Sequence, residues 1–483
     1  MKSRVRNLLC ALVAAAFAAS PALAREYDLV IGPAAGEHRS DVHHAAAVET
    51  AGGRVPVLAI NGQVPGPTLT FAEGEEAVIH VRNALDEPTS LHWHGLLVPG
   101  LMDGVPGLNG FPGIAPGETF TYRFTLRQSG TYWYHSHSGG QEQQGVYGPL
   151  IIAPAKSEAV TAARDYVVML SDLTAETPRR ILGNLKMDAG YYNRGHRTML
   201  DFFRDVGRDG ADAALRDRLD WGEMRMDPTD LADVSGYTFL VNGKDAAANE
   251  TFLFTPGERV RLRFINGSAM SYFDVRIPDL RMIVVAADGR LVQPVPVDEF
   301  RIAVAETYDV IVSPKDDKPY TIFAEPIDRS GYARATLATR EGLEGPIPAT
   351  RPRTRLTMDD MGMAHGGHES HDMPGMDMSG MDHSAHAMPE ATDDGAGDGA
   401  SDNAPPRGWA AGAPGDARVL DYRDLKSVMP NDDPRAPARE IVVRLGGSMD
   451  RYLWTINGES TDTAKPIGLS YGERVRLTFI NET

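Results

Sequence analysis

The chain has 483 residues, a formal charge of −18 and 24% charged residues. That length predicts two to four domains at roughly 100–200 residues each. The acidic balance excludes a polyanionic partner such as nucleic acid, because phosphate neutralisation needs clustered Lys and Arg; it suits attraction for cations instead.

The first predicted element is a leader. "MKSRVRNLLCALVAAAFAASPALA" has a basic start, an apolar centre and a small-x-small ending at Ala22, Leu23 and Ala24. This pattern predicts a secretory signal over residues 1–24, cleaved after Ala24. Arg4 and Arg6 are not adjacent, so a twin-arginine signal is not satisfied. No other apolar run approaches the roughly 18 residues of a membrane span. The expected product is exported and soluble. The one cysteine, Cys10, lies in the leader, so neither a disulfide nor a thiolate ligand is expected in the mature chain.

A degenerate repeat follows. Residues 57–85, 238–268 and 453–483 each read as a short strand, an Asn-Gly turn, a variable stretch, a Gly-Glu turn and an alternating strand ending at Asn. Asn-Gly between β-branched and apolar runs is a strong hairpin signal. Three copies predict an all-β chain of tandem β-sandwich domains over 25–157, 165–345 and 418–483. Residues 198–233 show helical periodicity and predict a short helical insertion in the second domain. Residues 389–416 are rich in Pro, Gly, Ala and Asp, which predicts a linker.

Between the first repeat and the second lie two H-x-H pairs, His92 with His94 and His135 with His137. Side chains alternate along a strand, so each pair faces one way with Cα atoms about 6.5–7 Å apart. Such a pair can chelate one ion or hand one imidazole to each of two neighbouring ions. Two pairs in one small domain, flanked by aromatics and by Gly or Ser, point to a metal centre. Imidazole ligands without thiolate suit copper, zinc, iron or nickel, and copper(II) binds most tightly in the Irving–Williams order.

"SLHWHGLLVPGLMDGVPG" and "GTYWYHSHSGGQEQQGVYGPLII" resemble the first two copper motifs of the multicopper oxidases. The nearest match is the bacterial periplasmic copper-resistance protein A family. The likeness continues through "RFINGSAMSYFDVRIPDLRMIVVAADG" and "VDEFRIAVAETYDVIV", and so covers nearly all of the mature chain. It implies cupredoxin-like Greek-key sandwiches, with no copper in the second, where "MSYFDV" (270–275) stands for "HWHGLL". It also implies that His92 binds a type 2 copper, while His94, His135 and His137 bind the type 3 pair of a trinuclear cluster. Asp103 matches an acidic residue that helps proton delivery; on its residues alone, "MDG" is an ordinary Asp-Gly turn. Trp93 and Trp133 read as packing around the site.

A second copper signal runs over residues 358–388. It combines the thioethers of Met358, Met361, Met363, Met373, Met376, Met378, Met381 and Met388 with the imidazoles of His365, His368, His371, His383 and His386. Thioether sulfur is soft and selects Cu(I). Domain linkers are usually Ser-, Pro-, Glu- and Lys-rich, and exposed Met is an oxidation liability, so a run this dense predicts copper capture. With the linker it forms a segment over 358–416.

Family members continue past "RVRLTFINET" through two further copper motifs, which hold the other trinuclear ligands and the type 1 site with its cysteine. The third domain is therefore expected to be incomplete here, with half of the trinuclear ligands and no type 1 centre. Two function classes follow. One is a periplasmic oxidase that takes electrons from Cu(I), or from phenols, and reduces dioxygen to water. The other is a protein that sequesters copper without turnover, as expected of this chain as it stands. Copper ions, dioxygen and other periplasmic copper-resistance proteins are the implied partners, and no organic cofactor is implied.

Overall fold

The computed structural model describes residues 24–33, 47–156, 160–357, 412–431, 433–448, 452–460 and 463–482. All of the expected leader but Ala24, the whole Met/His-rich run and most of the linker lie outside them.

The first domain, built around the first repeat, folds into two four-stranded sheets. One runs Ala59–Ile60, Arg25–Gly32, Glu76–Asn83, Thr119–Thr125; the other runs Leu69–Ala72, Tyr147–Ala153, Gly130–His135, His92–His94. Strand alternation fixes the inner faces: Leu69 and Phe71 are buried while Thr70 and Ala72 are exposed. Ile31, Ile79, Val81, Trp93, Tyr122 and Tyr134 fill the space between the sheets. Burial of each such side chain contributes about 1.5–3 kcal/mol.

The second repeat builds a seven-stranded and a five-stranded sheet on the same plan. Among the described residues the third forms one three-stranded sheet of Leu453–Ile456, Arg439–Ser448 and Val475–Asn481. In all three, the last strand of the repeat pairs in parallel with the strand before it: Arg25 with Ala77, Arg164 with Val260, Arg439 with Val475.

The repeat's sequence signature has a physical basis at each turn. Asn61–Gly62, Asn242–Gly243 and Asn457–Gly458 all have positive φ at both residues, as a two-residue hairpin turn of the primed type requires. Each Asn side chain then accepts a hydrogen bond from the neighbouring strand, from the backbone N–H of Val30, Met169 or Arg444. The Gly-Glu turns repeat as well. Glu75, Glu258 and Glu473 each accept from the backbone N–H three residues earlier, at Ala72, Thr255 and Ser470.

Three helices lie among the described residues: α1 (Pro178–Met187), α2 (Met199–Asp209) and α3 (Ala211–Glu223). The expected insertion at 198–233 contains α2 and α3. Helix α2 starts on a capping box between Thr198 and Asp201, which satisfies two otherwise unpaired N–H groups. Helix α1 lies before the insertion and was not anticipated. It buries only Ile181 and Leu185, too few residues for a periodic signal, and is set instead by the Thr177 cap and Pro178 at its first turn.

The two sandwiches are fastened through the strand that ends at His135. Thr131 Oγ1 donates to Asp309 (2.6 Å) and accepts from Arg263 Nη1 (2.9 Å). Thr307 Oγ1 donates to the Thr131 carbonyl (3.2 Å). These groups are buried, so an unpaired member would cost about 1–3 kcal/mol.

Candidate metal centre

The strands His92–His94 and Gly130–His135 pair antiparallel, with His92 opposite His135, Trp93 opposite Tyr134 and His94 opposite Trp133. Alternation sends Trp93 and Tyr134 into the core and leaves the histidines on the outer face. The ligand nitrogens of His92, His94 and His135 all lie within 4.8 Å of one another. His94 Nδ1 and His135 Nε2 are 3.3 Å apart. Two nitrogens held at about 2.0–2.1 Å from one tetrahedral ion are separated by about 3.3 Å, so this pair already has the spacing of co-ligands.

His137 was expected on the same strand as His135. It lies two residues beyond the strand's last residue, where its backbone N–H donates to Ser90 Oγ (3.0 Å). Its ring still stands 4.8 Å from that of His135 and 4.9 Å from that of His92. The structure thus brings three of the four predicted histidines within reach of one ion and puts the fourth beside them.

The rings are oriented from behind. His92 Nδ1 donates to the Asp103 carbonyl (2.7 Å), and the Asp103 carboxylate lies 3.4 Å from the same nitrogen. This leaves Nε2 of His92 with a free lone pair. Asp103 N–H donates to the Gly100 carbonyl (3.1 Å), closing the short 3-10 turn Gly100–Met102, and Gly104 follows at positive φ. A side chain at Gly104 would come within 1.8 Å of the Leu91 carbonyl, at a φ of +77°. Only glycine fits there, and it lets Asp103 approach His92.

His135 Nδ1 donates to the Glu142 carboxylate (3.0 Å). Trp133 stacks on the His135 ring at 4.1 Å and 13°, and lies 5.1 Å and 30° from His94. It was read as packing, and it also fixes the planes of two histidines. Glu142 escaped the sequence reading because no spacing rule links it to His135. The link is made by a loop that folds back.

Burial is the main cause that lowers the His94 pKa to about 4, with His135, His92 and His137 adding to it. Burial also lowers His92, opposed by its hydrogen bond to Asp103, and lowers His137, with His135 and His92 adding to it. These three imidazoles are therefore neutral at pH 7, the form that binds metal. A cavity of about 360 Å³ opens beside His94 between the sandwiches, walled by Tyr132, Trp133, Asp288 and Glu306 among others.

The second sandwich shows what replaces the ligands. Leu69 and Phe252 each lie five residues before the glycine of the Gly-Glu turn. From them the register runs through Leu150 to Tyr132 in one sandwich and through Leu337 to Tyr320 in the other. His135 then corresponds to Phe323 and His137 to Glu325. Since Arg276 pairs with Phe323 as His92 pairs with His135, Arg276 takes the place of His92. This corrects the equivalence of 270–275 with the first H-x-H motif: Arg276 lies ten residues after Asn266, close to the nine between Asn83 and His92, whereas Met270 lies only four after Asn266. The Arg276 guanidinium lies 4.6 Å over the Phe323 ring and donates to Glu325 (2.9 Å). None of these three positions carries an imidazole, and the one carboxylate, Glu325, is held by Arg276.

Residues 42–157 match one multicopper oxidase family model and residues 164–342 match another, so fold and site define the class as multicopper oxidases, which are oxidoreductases with copper as cofactor. Copper resistance protein A of Escherichia coli is 47% identical over 506 residues, covering 95% of this chain and 81% of that protein. Copper resistance protein A of Pseudomonas syringae pv. tomato is 46% identical over 520 residues, covering 96% and 83%. The chain belongs to the copper-resistance protein A family of multicopper oxidases. Among solved structures, Fet3p, a multicopper oxidase that functions in iron import, superposes with a TM-score of 0.57 at 20% identity, over 90% of this chain and 63% of that one. The laccase of Botrytis aclada does so with a TM-score of 0.57 at 22% identity, over 90% and 64%. The chain spans less than two thirds of these two proteins, and their likeness shows the all-β, cupredoxin-like fold alone.

Proposed function

We propose that the protein oxidises Cu(I) in the periplasm, passing the electrons to dioxygen, which takes up protons and leaves as water. The convergence of His92, His94 and His135 within 4.8 Å carries this reading. The donor set fits copper: three imidazoles, no thiolate, and two nitrogens already at co-ligand spacing. Bound there, copper supplies one-electron chemistry and a place for dioxygen to be reduced. His92 belongs to a type 2 position, and His94, His135 and His137 to the type 3 pair. The chain's own residues do the rest. Asp103 orients His92 through its carbonyl, and its carboxylate, 3.4 Å from that ring, is placed to hold a proton for the reduced oxygen. Trp133 keeps the ring planes fixed, and the cavity beside His94 admits dioxygen.

The same reading assigns residues 1–24 to an export signal, and no described helix is long and apolar enough to cross a membrane. It divides the rest into copper-bearing (25–157), copper-free (165–345) and third (418–483) cupredoxin domains. The Met/His segment, with its linker to residue 416, lies between the last two and captures Cu(I).

The test is copper analysis on a chain lacking residues 358–388, so that only the folded site is counted. Replacing both His92 and His135 with Ala should abolish the remaining bound copper, while circular dichroism and the thermal transition stay close to those of the copper-free parent. Copper per chain unchanged by the double substitution would sink the assignment.

A further inference from the structure

We propose that Glu142 positions His135 so that the His94–His135 pair captures the first copper ion; the proposal rests on the copper reading above. Glu142 lies seven residues after its partner and reaches it through a tight loop. Gly139 and Gly140 turn the chain in the left-handed region, and Gln141 N–H donates to the Ser138 carbonyl (2.9 Å). The Gln141 side chain is buried and fully used. Its carbonyl oxygen accepts from Thr89 Oγ1 (2.6 Å) and Ser136 Oγ (3.0 Å), and its amide donates to Glu87 (3.0 Å) and to the Pro88 carbonyl (2.9 Å). This anchor leaves the next residue, Glu142, facing back at His135 Nδ1.

The hydrogen bond decides which nitrogen of His135 can bind metal. With Nδ1–H donated to the carboxylate, the lone pair sits on Nε2, the atom 3.3 Å from His94 Nδ1. The other tautomer would put a hydrogen where the ion must go. Trp133 fixes the ring's plane and Glu142 fixes its rotation, so the pair is set before metal arrives. His137 lies outside the group of three and would join later. Carboxylates behind metal-bound histidines typically contribute 10–100-fold in metal affinity.

The experiment uses the full chain, titrated with copper(II) against a competing chelator and followed by electron paramagnetic resonance. His94→Ala identifies the signal of the folded site by removing it. Glu142→Leu should weaken that first ion roughly 10–100-fold and alter its hyperfine pattern. Glu142→Gln keeps a neutral acceptor of the same shape, so it should recover most of the affinity. His137→Ala should leave the first ion in place. If His94→Ala removes no signal, the copper reading itself fails. If it does, but Glu142→Leu binds within about twofold of the parent, or Glu142→Gln is no better than Glu142→Leu, the role given to Glu142 is wrong. Equal thermal transitions across the variants show that folding is not the cause.

Discussion

At the scale of single residues, chemistry that follows from strand alternation was legible and chemistry that follows from loops was not. Two histidines one apart on a strand must share a face, so His92 could be paired with His94 from the sequence; His135 joins them because its strand pairs beside theirs. His137 was grouped with them for a reason that holds only in part, since the strand ends at His135. Glu142 could not be found, because its approach depends on how residues 138–141 turn. A half-buried carboxyl lends itself to a test. Burial is the main cause that raises Asp230 to about 7, and Asp233, Asp227 and Asp188 add to it. Its folded pKa lies above the unfolded value, so its stabilising effect is complete below about pH 4 and is lost as pH rises through 7. Asp230→Asn should therefore raise the thermal midpoint at pH 8, with the gain shrinking toward zero near pH 4. Thermal scans across that range check it, and a gain that grows on acidification would contradict the assignment.

At the scale of elements, the repeat was the most informative feature of the sequence. Its turns demand Asn-Gly and Gly-Glu for backbone reasons, and the same hydrogen bonds recur at all three. Local demand of this kind survives divergence of the strands between turns. The matching of the first H-x-H to residues 270–275 failed for the complementary reason: the connection after the repeat has no such constraint, and only cross-strand register shows that Arg276 stands for His92. The polar cluster there predicts a large effect. Glu325 is fully buried and accepts from Arg276 Nη1 (2.9 Å) and from the Arg351 backbone N–H (2.7 Å). Glu325→Leu leaves a partly buried guanidinium without its carboxylate, which typically costs about 3–5 kcal/mol. Urea unfolding of the variant should show that loss, and a loss below about 1 kcal/mol would mean the cluster is well hydrated.

At the scale of the whole molecule, the copper reading proposed above divides the metal between two kinds of donor. The folded imidazoles suit bound copper that changes oxidation state, while the thioethers of 358–388 suit Cu(I) alone. Deleting 358–388 should lower Cu(I) capacity by several ions per chain and reduce the copper tolerance of cells expressing it, without removing the copper held by His92, His94 and His135. Equilibrium dialysis with Cu(I) reads the first effect and growth on copper the second. An unchanged capacity would leave the segment without a metal role.

Arg276 puts a covalently tethered cation at the position that matches His92. On the copper reading proposed above, the first sandwich instead holds an exchangeable ion, and saturation at 100 times Kd would add about 2.7 kcal/mol to its stability. The seam at Thr131 would then join a half that responds to copper supply with a half that does not. In calorimetry, chelation should move the melting of the first half to lower temperature and leave the second nearly still. On the same reading, the second sandwich would splint the strand that carries His135 when copper is scarce, through the hydrogen bonds at Thr131.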